Sequence, residues 1–230
     1  MIDIKPSKII ESLPPYLFSG INELKLEAYK KKLDVIDLGM GNPDLPTPAH
    51  IAERLCDTVV HHPKTHRYPQ AKGMPRLRKA VSSWIQKRFG VEFNPDNEIL
   101  ALIGSKEGIA HLCMTFLNPG DYVLVCDPAY PVHFNGVILA RGKVYSIPLL
   151  KENAFLPDFG KVPEKILKKA KMLFLNYPNN PTAAVADKQF LERAVGFAKE
   201  NNLLLVYDNA YSEITFDGYV APSVFEVKDA

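Results

Sequence analysis

Apolar positions in the second half of the chain switch between two periods. From residue 98 onward, short β-rich runs alternate with segments whose apolar residues recur every three or four positions. Candidate strands are Ile99 to Ile103, Tyr122 to Cys126, Lys143 to Ile147, Met172 to Leu175 and Leu203 to Tyr207. Between them, Ile109, Leu112, Cys113 and Phe116, and later Phe190, Leu191, Ala194, Phe197 and Ala198, each line one face of a helix. Near-continuous apolar strands separated by helices predict an α/β fold, with a mostly parallel sheet flanked by helices. Upstream, Pro48 follows Thr47, and Pro75 opens the series Leu77, Ala80, Val81, Trp84, Ile85 before Gly90. Both are helix start signals, and Gly90 is a stop. The first forty residues differ, with Pro14 and Pro15, an amphipathic stretch from Ile21 to Tyr29 and a strand-like Val35 to Leu38. This divides the chain into an arm and the edge of a second, small domain over residues 1–45, and a large domain over 46–230.

Composition narrows the function classes. At 47% hydrophobic and 23% charged, the 230 residues suit a globular protein with a full core. A net charge of +2 with scattered basic residues gives no nucleic-acid footprint. The first fifteen residues mix charges and prolines, and no apolar run reaches the length of a membrane span, so a cytoplasmic protein is expected. Cys56, Cys113 and Cys126 sit in apolar patterns whose spacing suits neither disulfides nor zinc, and are read as reduced core residues. Pro63 interrupts any helix that would align His61, His62 and His66 as metal ligands, and His111 and His133 fall in helical patterns as packing residues.

In open α/β sheets ligands bind beyond the carboxyl ends of the strands, so the residues after each run carry the chemistry. After Ile103 comes Gly104-Ser105-Lys106-Glu107-Gly108. Ser105 can cap the following helix, and small residues let a phosphate reach its unpaired N–H groups. After Cys126 comes Asp127-Pro128-Ala129-Tyr130-Pro131, where flanking prolines restrict an aromatic ring that could lie against a planar ligand. After Leu175 comes Asn176-Tyr177-Pro178-Asn179-Asn180-Pro181-Thr182, in which two X-Pro bonds make a cis peptide plausible and present Asn180 as a donor. The last run delivers Asp208, followed by Asn209, Ala210 and Tyr211. A carboxylate there needs a cation or strong hydrogen bonds. Taken singly, these are also an N-capped turn, a packing ring, an Asn/Pro turn and a helix N-cap. Together they supply a phosphate cradle, a stacking ring, an amide donor and a counter-carboxylate, which a phosphorylated aromatic cation would require.

With these residues in hand, the chain resembles the aminotransferases of fold type I, which depend on pyridoxal 5'-phosphate. The resemblance rests on Gly41-Asn42-Pro43-Asp44, on Tyr68, Gly73, Leu77 and Arg78 in their relative spacing, and on the four loops above in the family's order. It implies that backbone N–H groups of Ser105 and Lys106 hold the cofactor phosphate and that Tyr130 stacks on the pyridine ring. It also implies that Asn180 and Tyr211 hydrogen-bond the phenolic oxygen, and that Asp208 keeps the ring nitrogen protonated. By the same resemblance Tyr68 reaches the phosphate of a neighbouring subunit, implying a homodimer, and Gly41 lies near the substrate carboxylate. The implied substrates are an L-amino acid and a 2-oxo acid. The stretch Asp208 to Tyr219 is similar to the subgroup holding LL-diaminopimelate, alanine and some bacterial aspartate aminotransferases.

Two departures stand out. Where many relatives have Asn-Pro-Thr-Gly, this chain has Ala183. The family's Schiff-base lysine lies roughly thirty residues past the aspartate, whereas here the sequence runs from Asp208 to Ala230. A truncated chain lacking that lysine and most of the small domain, inactive by itself, is therefore expected. Two rival readings stay open: a β-lyase on the same scaffold, and a non-catalytic aminotransferase-like regulator domain.

Overall fold

A computed structural model describes residues 4–15, 17–39, 41, 44–228 and 230. It divides into two units, one of Pro14–Gln70 and one of Met1–Leu13 with Ala71–Ala230.

In the larger unit, the alternating runs form four parallel strands: β1 (Tyr122–Asp127), β2 (Lys143–Pro148), β3 (Ala170–Leu175) and β4 (Leu204–Tyr207), in the order β2-β1-β3-β4. Helices α5 (Ser105–Phe116), α6 (Pro131–Leu139), the short α7 (Glu164–Leu167) and α8 (Lys188–Glu200) connect or precede them, and α4 (Pro75–Phe89) lies upstream. A four-residue turn of helix, α1, covers Lys8–Glu11.

The two-residue period of the strands sorts their side chains onto two faces. Leu124, Cys126, Leu173 and Leu175 join a core with Phe190, Leu191, Ala194, Val195 and Ala198 of α8. Val123, Val125, Met172 and Phe174 join the opposite core with Ile109 and Cys113 of α5 and Val132 and Val137 of α6. Both faces of the central strands are therefore covered, which explains runs that are apolar at every position. Helix α6 comes close to α5 at Gly136, where an added Cβ would lie 3.2 Å from the Cys113 sulfur.

The helix ends follow their local chemistry. Helix α4 starts at Pro75 and stops at Gly90 with φ +74°, a left-handed value that glycine adopts without a Cβ penalty. Asp187 caps α8, accepting a hydrogen bond from the Phe190 N–H at 2.7 Å. The motif residues Gly73 and Arg78 are structural. Gly73 has φ +83°, and a Cβ there would lie 2.4 Å from the Ala101 Cβ. Arg78 is buried and donates to the carbonyls of Gly73 and Pro95 and to Asp96 Oδ1, fastening the start of α4 to the turn that follows it.

In the smaller unit, the amphipathic stretch forms α2 (Leu17–Lys30) and the segment after Pro48 forms α3 (Ala49–His61). Lys25 and Asp37 form an ion pair at 2.7 Å, which raises the lysine pKa and lowers that of the carboxyl.

Several expectations need correction. Ile99 to Ile103 is not a strand, because the ladder such a run requires is not formed. Its Ala101 N–H instead reaches the Lys72 carbonyl at 3.2 Å, and Ile103 is 95% exposed. Val35 to Leu38 is likewise irregular, with Ile36 and Leu38 exposed and no partner strand among the described residues. Cys113 and Cys126 are buried, but Cys56 is exposed, because α3 has no buried residue. His111 is exposed on α5, where its Nδ1 lies 2.6 Å from Glu107 one turn back, rather than packed. His133 is buried but is more than a packing residue.

Candidate active site

The carboxyl ends of β1, β3 and β4 and the N-terminus of α5 surround a cavity of about 150 Å³. It is lined by Ser105, Tyr130, Asn176, Asn180, Asp208, Ala210 and Tyr211. Each residue arrives there by a different local device. Parallel strands bring their carboxyl ends to one edge of the sheet, and the chain must turn there, which places the post-strand loops side by side.

Asp208 follows the last residue of β4, and its N–H donates to the Leu175 carbonyl at 2.8 Å, so the ladder with β3 continues one step past the strand. Its carboxylate meets His133, whose Nε2 lies 3.0 Å from Oδ2, with side-chain exposures of 2% for the histidine and 11% for the aspartate. A carboxylate can only accept here, so the Nε2–H tautomer donates. The imidazole is stacked on Phe174 with centroids 5.2 Å apart and planes 11° from parallel. The ring of Tyr130 meets it edge-on at 6.3 Å. Asp208 is thus anchored on one side and open to the cavity on the other.

The loop after β3 carries three asparagines. Asn176 is 4% exposed and uses both ends of its amide. Its Nδ2 donates to the Asp208 carbonyl at 2.7 Å, and its Oδ1 accepts from the Asn180 N–H at 2.8 Å. Asn179 donates to the Asn176 carbonyl and accepts from Thr182, closing the turn. Asn180 Nδ2 donates to the Tyr211 hydroxyl at 3.2 Å. The peptides Tyr177-Pro178, Asn180-Pro181 and Asp127-Pro128 are cis. Behind this loop the Tyr207 hydroxyl donates to the Tyr177 carbonyl at 2.7 Å and the Tyr177 hydroxyl to the Phe155 carbonyl at 2.8 Å. Burial pushes both phenol pKa values upward.

Ser105, also on the cavity wall, is the first residue of α5 rather than its cap. The N-cap position is Gly104, whose φ of +149° and ψ of 148° suit glycine almost alone, and no side chain caps the helix. The reason is the residue type: glycine has no side-chain oxygen to accept from the helix N–H groups, so no side-chain cap is made. The first N–H groups of a helix have no partner within it, and the helix dipole adds positive potential there. Lys106 does not line the cavity, and its Nζ lies 5.3 Å from the centre of the Tyr130 ring, a cation–π distance.

The structure therefore brings together Ser105, Tyr130, Asn180, Asp208 and Tyr211, with the Lys106 ammonium over the Tyr130 ring. Gly41 and Tyr68 belong to the other unit, where both are exposed, Tyr68 by 99%. Asn42 and Pro43 of the same motif lie outside the described residues. Sequence reasoning missed His133 and Asn176. Tyr130 precedes α6 and His133 is three residues on, a spacing that turns both toward one side of the helix start. Asn176 was signalled by its place directly after β3.

The residues around the cavity fit a flat, phosphorylated, cationic ring: the N-terminus of a helix with no side-chain cap, an anchored carboxylate, and hydroxyl and amide groups. Residues 33–230 match the family described as aminotransferase class I and II. The chain belongs to that family. Its cofactor is pyridoxal 5'-phosphate. Among similar class I and II aminotransferases are LL-diaminopimelate aminotransferases of Desulforudis audaxviator, 51% identical over 97% of this chain, and Dehalococcoides mccartyi, 52% identical over 99%. The chain spans 57% and 58% of the length of these two curated relatives. Solved structures with the same fold include apo BacF from Bacillus subtilis, with TM-score 0.91, 42% identity and coverage of 99% of this chain and 57% of that one. A probable N-succinyldiaminopimelate aminotransferase from Thermus thermophilus aligns with TM-score 0.87 at 36% identity, over 94% of this chain and 57% of its own.

Proposed function

We propose that these residues are the N-terminal part of an enzyme that moves an amino group between an L-amino acid and a 2-oxo acid, with LL-diaminopimelate as the donor to test first. The observation that carries the reading is the cavity lined together by Asp208, anchored by His133, by Ser105 at the N-terminus of α5, and by the Asn180–Tyr211 pair. Identity above half to two LL-diaminopimelate aminotransferases supports the choice of donor.

Ser105 and Lys106 would hold the cofactor phosphate through their N–H groups, where the helix dipole favours an anion. Tyr130 would cover one face of the ring, its own position set by Lys106. Asn180 and Tyr211 would donate to the phenolic oxygen. Asp208 would hold a proton on the pyridine nitrogen, since a nearby anion favours the charged form, and His133 would keep the carboxylate aimed. Bound there, pyridoxal phosphate supplies the electron sink that makes the substrate Cα–H acidic. No lysine is among the residues lining the cavity. The amine that would tether the cofactor, the arginine for the substrate carboxylate and most of the small domain are assigned to chain beyond Ala230, so residues 1–230 alone would be inactive. Tyr68, exposed, would reach the phosphate of a second copy in a homodimer, and Gly41 would lie by the substrate carboxylate. No helix among the described residues is long and apolar enough to cross a membrane.

The test is to express the full-length protein, load it with pyridoxal phosphate and supply LL-diaminopimelate with 2-oxoglutarate. Glutamate formation is the expected result. Ammonia and pyruvate released from a cysteine conjugate, without glutamate, would assign a β-lyase instead, and a wild-type protein with no cofactor absorption band would remove the reading altogether.

A further inference from the structure

We propose that Asn176 is a positioning residue that sets two parts of the cofactor site, Asp208 and the Asn180–Tyr211 pair, with one side chain. The inference rests on the cofactor reading above and concerns groups of this chain only. Asn176 sits at the seam where β3 ends and its loop begins, and both ends of its amide are committed. Nδ2 holds the Asp208 carbonyl at 2.7 Å, and Oδ1 holds the Asn180 N–H at 2.8 Å. Asn180 in turn donates to Tyr211 at 3.2 Å, and Tyr211 returns along the chain to Asp208. The result is a closed ring of contacts: Asp208, Asn176, Asn180, Tyr211 and back.

Hydrogen bonding already pins the Asp208 N–H to the Leu175 carbonyl at 2.8 Å. Adding the Asn176 contact fixes the peptide on the other side as well, so the carboxylate's origin is held at two points while His133 holds its tip at 3.0 Å. The backbone after β3 would otherwise have to satisfy the Asn180 N–H and the Asp208 carbonyl separately. One buried amide, donor at one end and acceptor at the other, does both. Its substitutes fail for identifiable reasons: aspartate has no donor for the Asp208 carbonyl, serine is too short to bridge, and glutamine displaces both contacts by a methylene.

A purely structural asparagine would affect stability alone. A positioning residue must also move a property of the bound cofactor that depends on Tyr211 and Asp208. The experiment uses full-length protein loaded with pyridoxal phosphate, in wild type, Asn176→Ala, Tyr211→Phe and the double variant. Each is titrated with pH while the visible absorption of the cofactor is recorded, and cofactor affinity is measured beside it. The expected result is that Asn176→Ala shifts the midpoint in the same direction as Tyr211→Phe, by about half a unit or more. The double variant should then show less than the sum, because the two substitutions break the same ring. Turnover should fall about tenfold, with a smaller change in KM. If Asn176→Ala does not fold, Asn176→Ser, which leaves room for a water molecule, carries the same test. A titration that superimposes on wild type while thermal stability drops, or shifts that add fully, would overturn the proposal. Absence of a cofactor band in the wild-type protein would sink the cofactor reading and this proposal with it, an outcome distinct from either.

Discussion

Asp208 carries the largest single share of the proposed chemistry. Replacing it with alanine removes the charge that would keep the ring nitrogen protonated, while the backbone contacts of Leu175 and Asn176 to residue 208 remain. The half-reaction with an amino acid donor should slow by a factor of about a hundred or more, as for other preorganised electrostatic groups. Circular dichroism should be unchanged, and a near wild-type half-reaction in stopped flow would rule out the role. Ala183 gives an independent residue-scale prediction. It has φ +59°, in the left-handed region that disfavours a Cβ. Ala183→Gly is expected to stabilise the fold by roughly 0.5–1 kcal/mol after allowance for the greater entropy of glycine in the unfolded chain. Thermal or urea unfolding checks the sign, and a loss of stability would show that the strain is already offset.

Four of the five predicted strands form: β1 and β3 are legible as continuous apolar runs because they are buried on both faces, and the outer β2 and β4, less buried, are legible from their β-rich composition. Their ends shifted by no more than a residue or two, as β3 starts at Ala170 rather than Met172 and β4 at Leu204 rather than Leu203. The run from Ile99 to Ile103 carries the same composition without a ladder partner, and composition cannot report whether a partner is present. The post-strand loops were legible for a related reason: polar residues after apolar strands must face the sheet edge. His133 was not, because its contact with Asp208 spans 75 residues of sequence and depends on the order β1-β3-β4. The loop carrying Tyr211 shows another such long-range device. At the end of α4, Arg88 donates to Glu213 Oε1 at 2.8 Å and to the Ala221 carbonyl at 3.0 Å, so a distant helix holds this loop at two points. Arg88→Ala is predicted to raise amide exchange across residues 209–221 about tenfold, in line with losing contacts worth about a kilocalorie. Unchanged exchange there would show that the loop is held by other contacts.

For the whole molecule, the buried thiols and phenols give stability a defined dependence on pH. Burial raises Cys113 to about 11 and Cys126 to about 12 from the ordinary 9.0. A group whose pKa is higher in the folded state loses its proton first in the unfolded chain, so each favours the fold below pH 9 and ceases to do so as pH rises through 11 to 12. Buried Tyr177 and Tyr207 act in the same direction. Urea midpoints are therefore expected to fall steadily above pH 9, and a flat profile to pH 11 would contradict the burial of these groups. The proposed cofactor site is one cavity at the carboxyl edge of the sheet. Its most direct test is a crystal structure of the full-length protein soaked with pyridoxal phosphate. The pyridine nitrogen is expected beside Asp208, the phosphate at the N-terminus of α5 and the phenolic oxygen at Asn180 and Tyr211. Cofactor bound in the reverse orientation, or at any other place on the molecule, would contradict it.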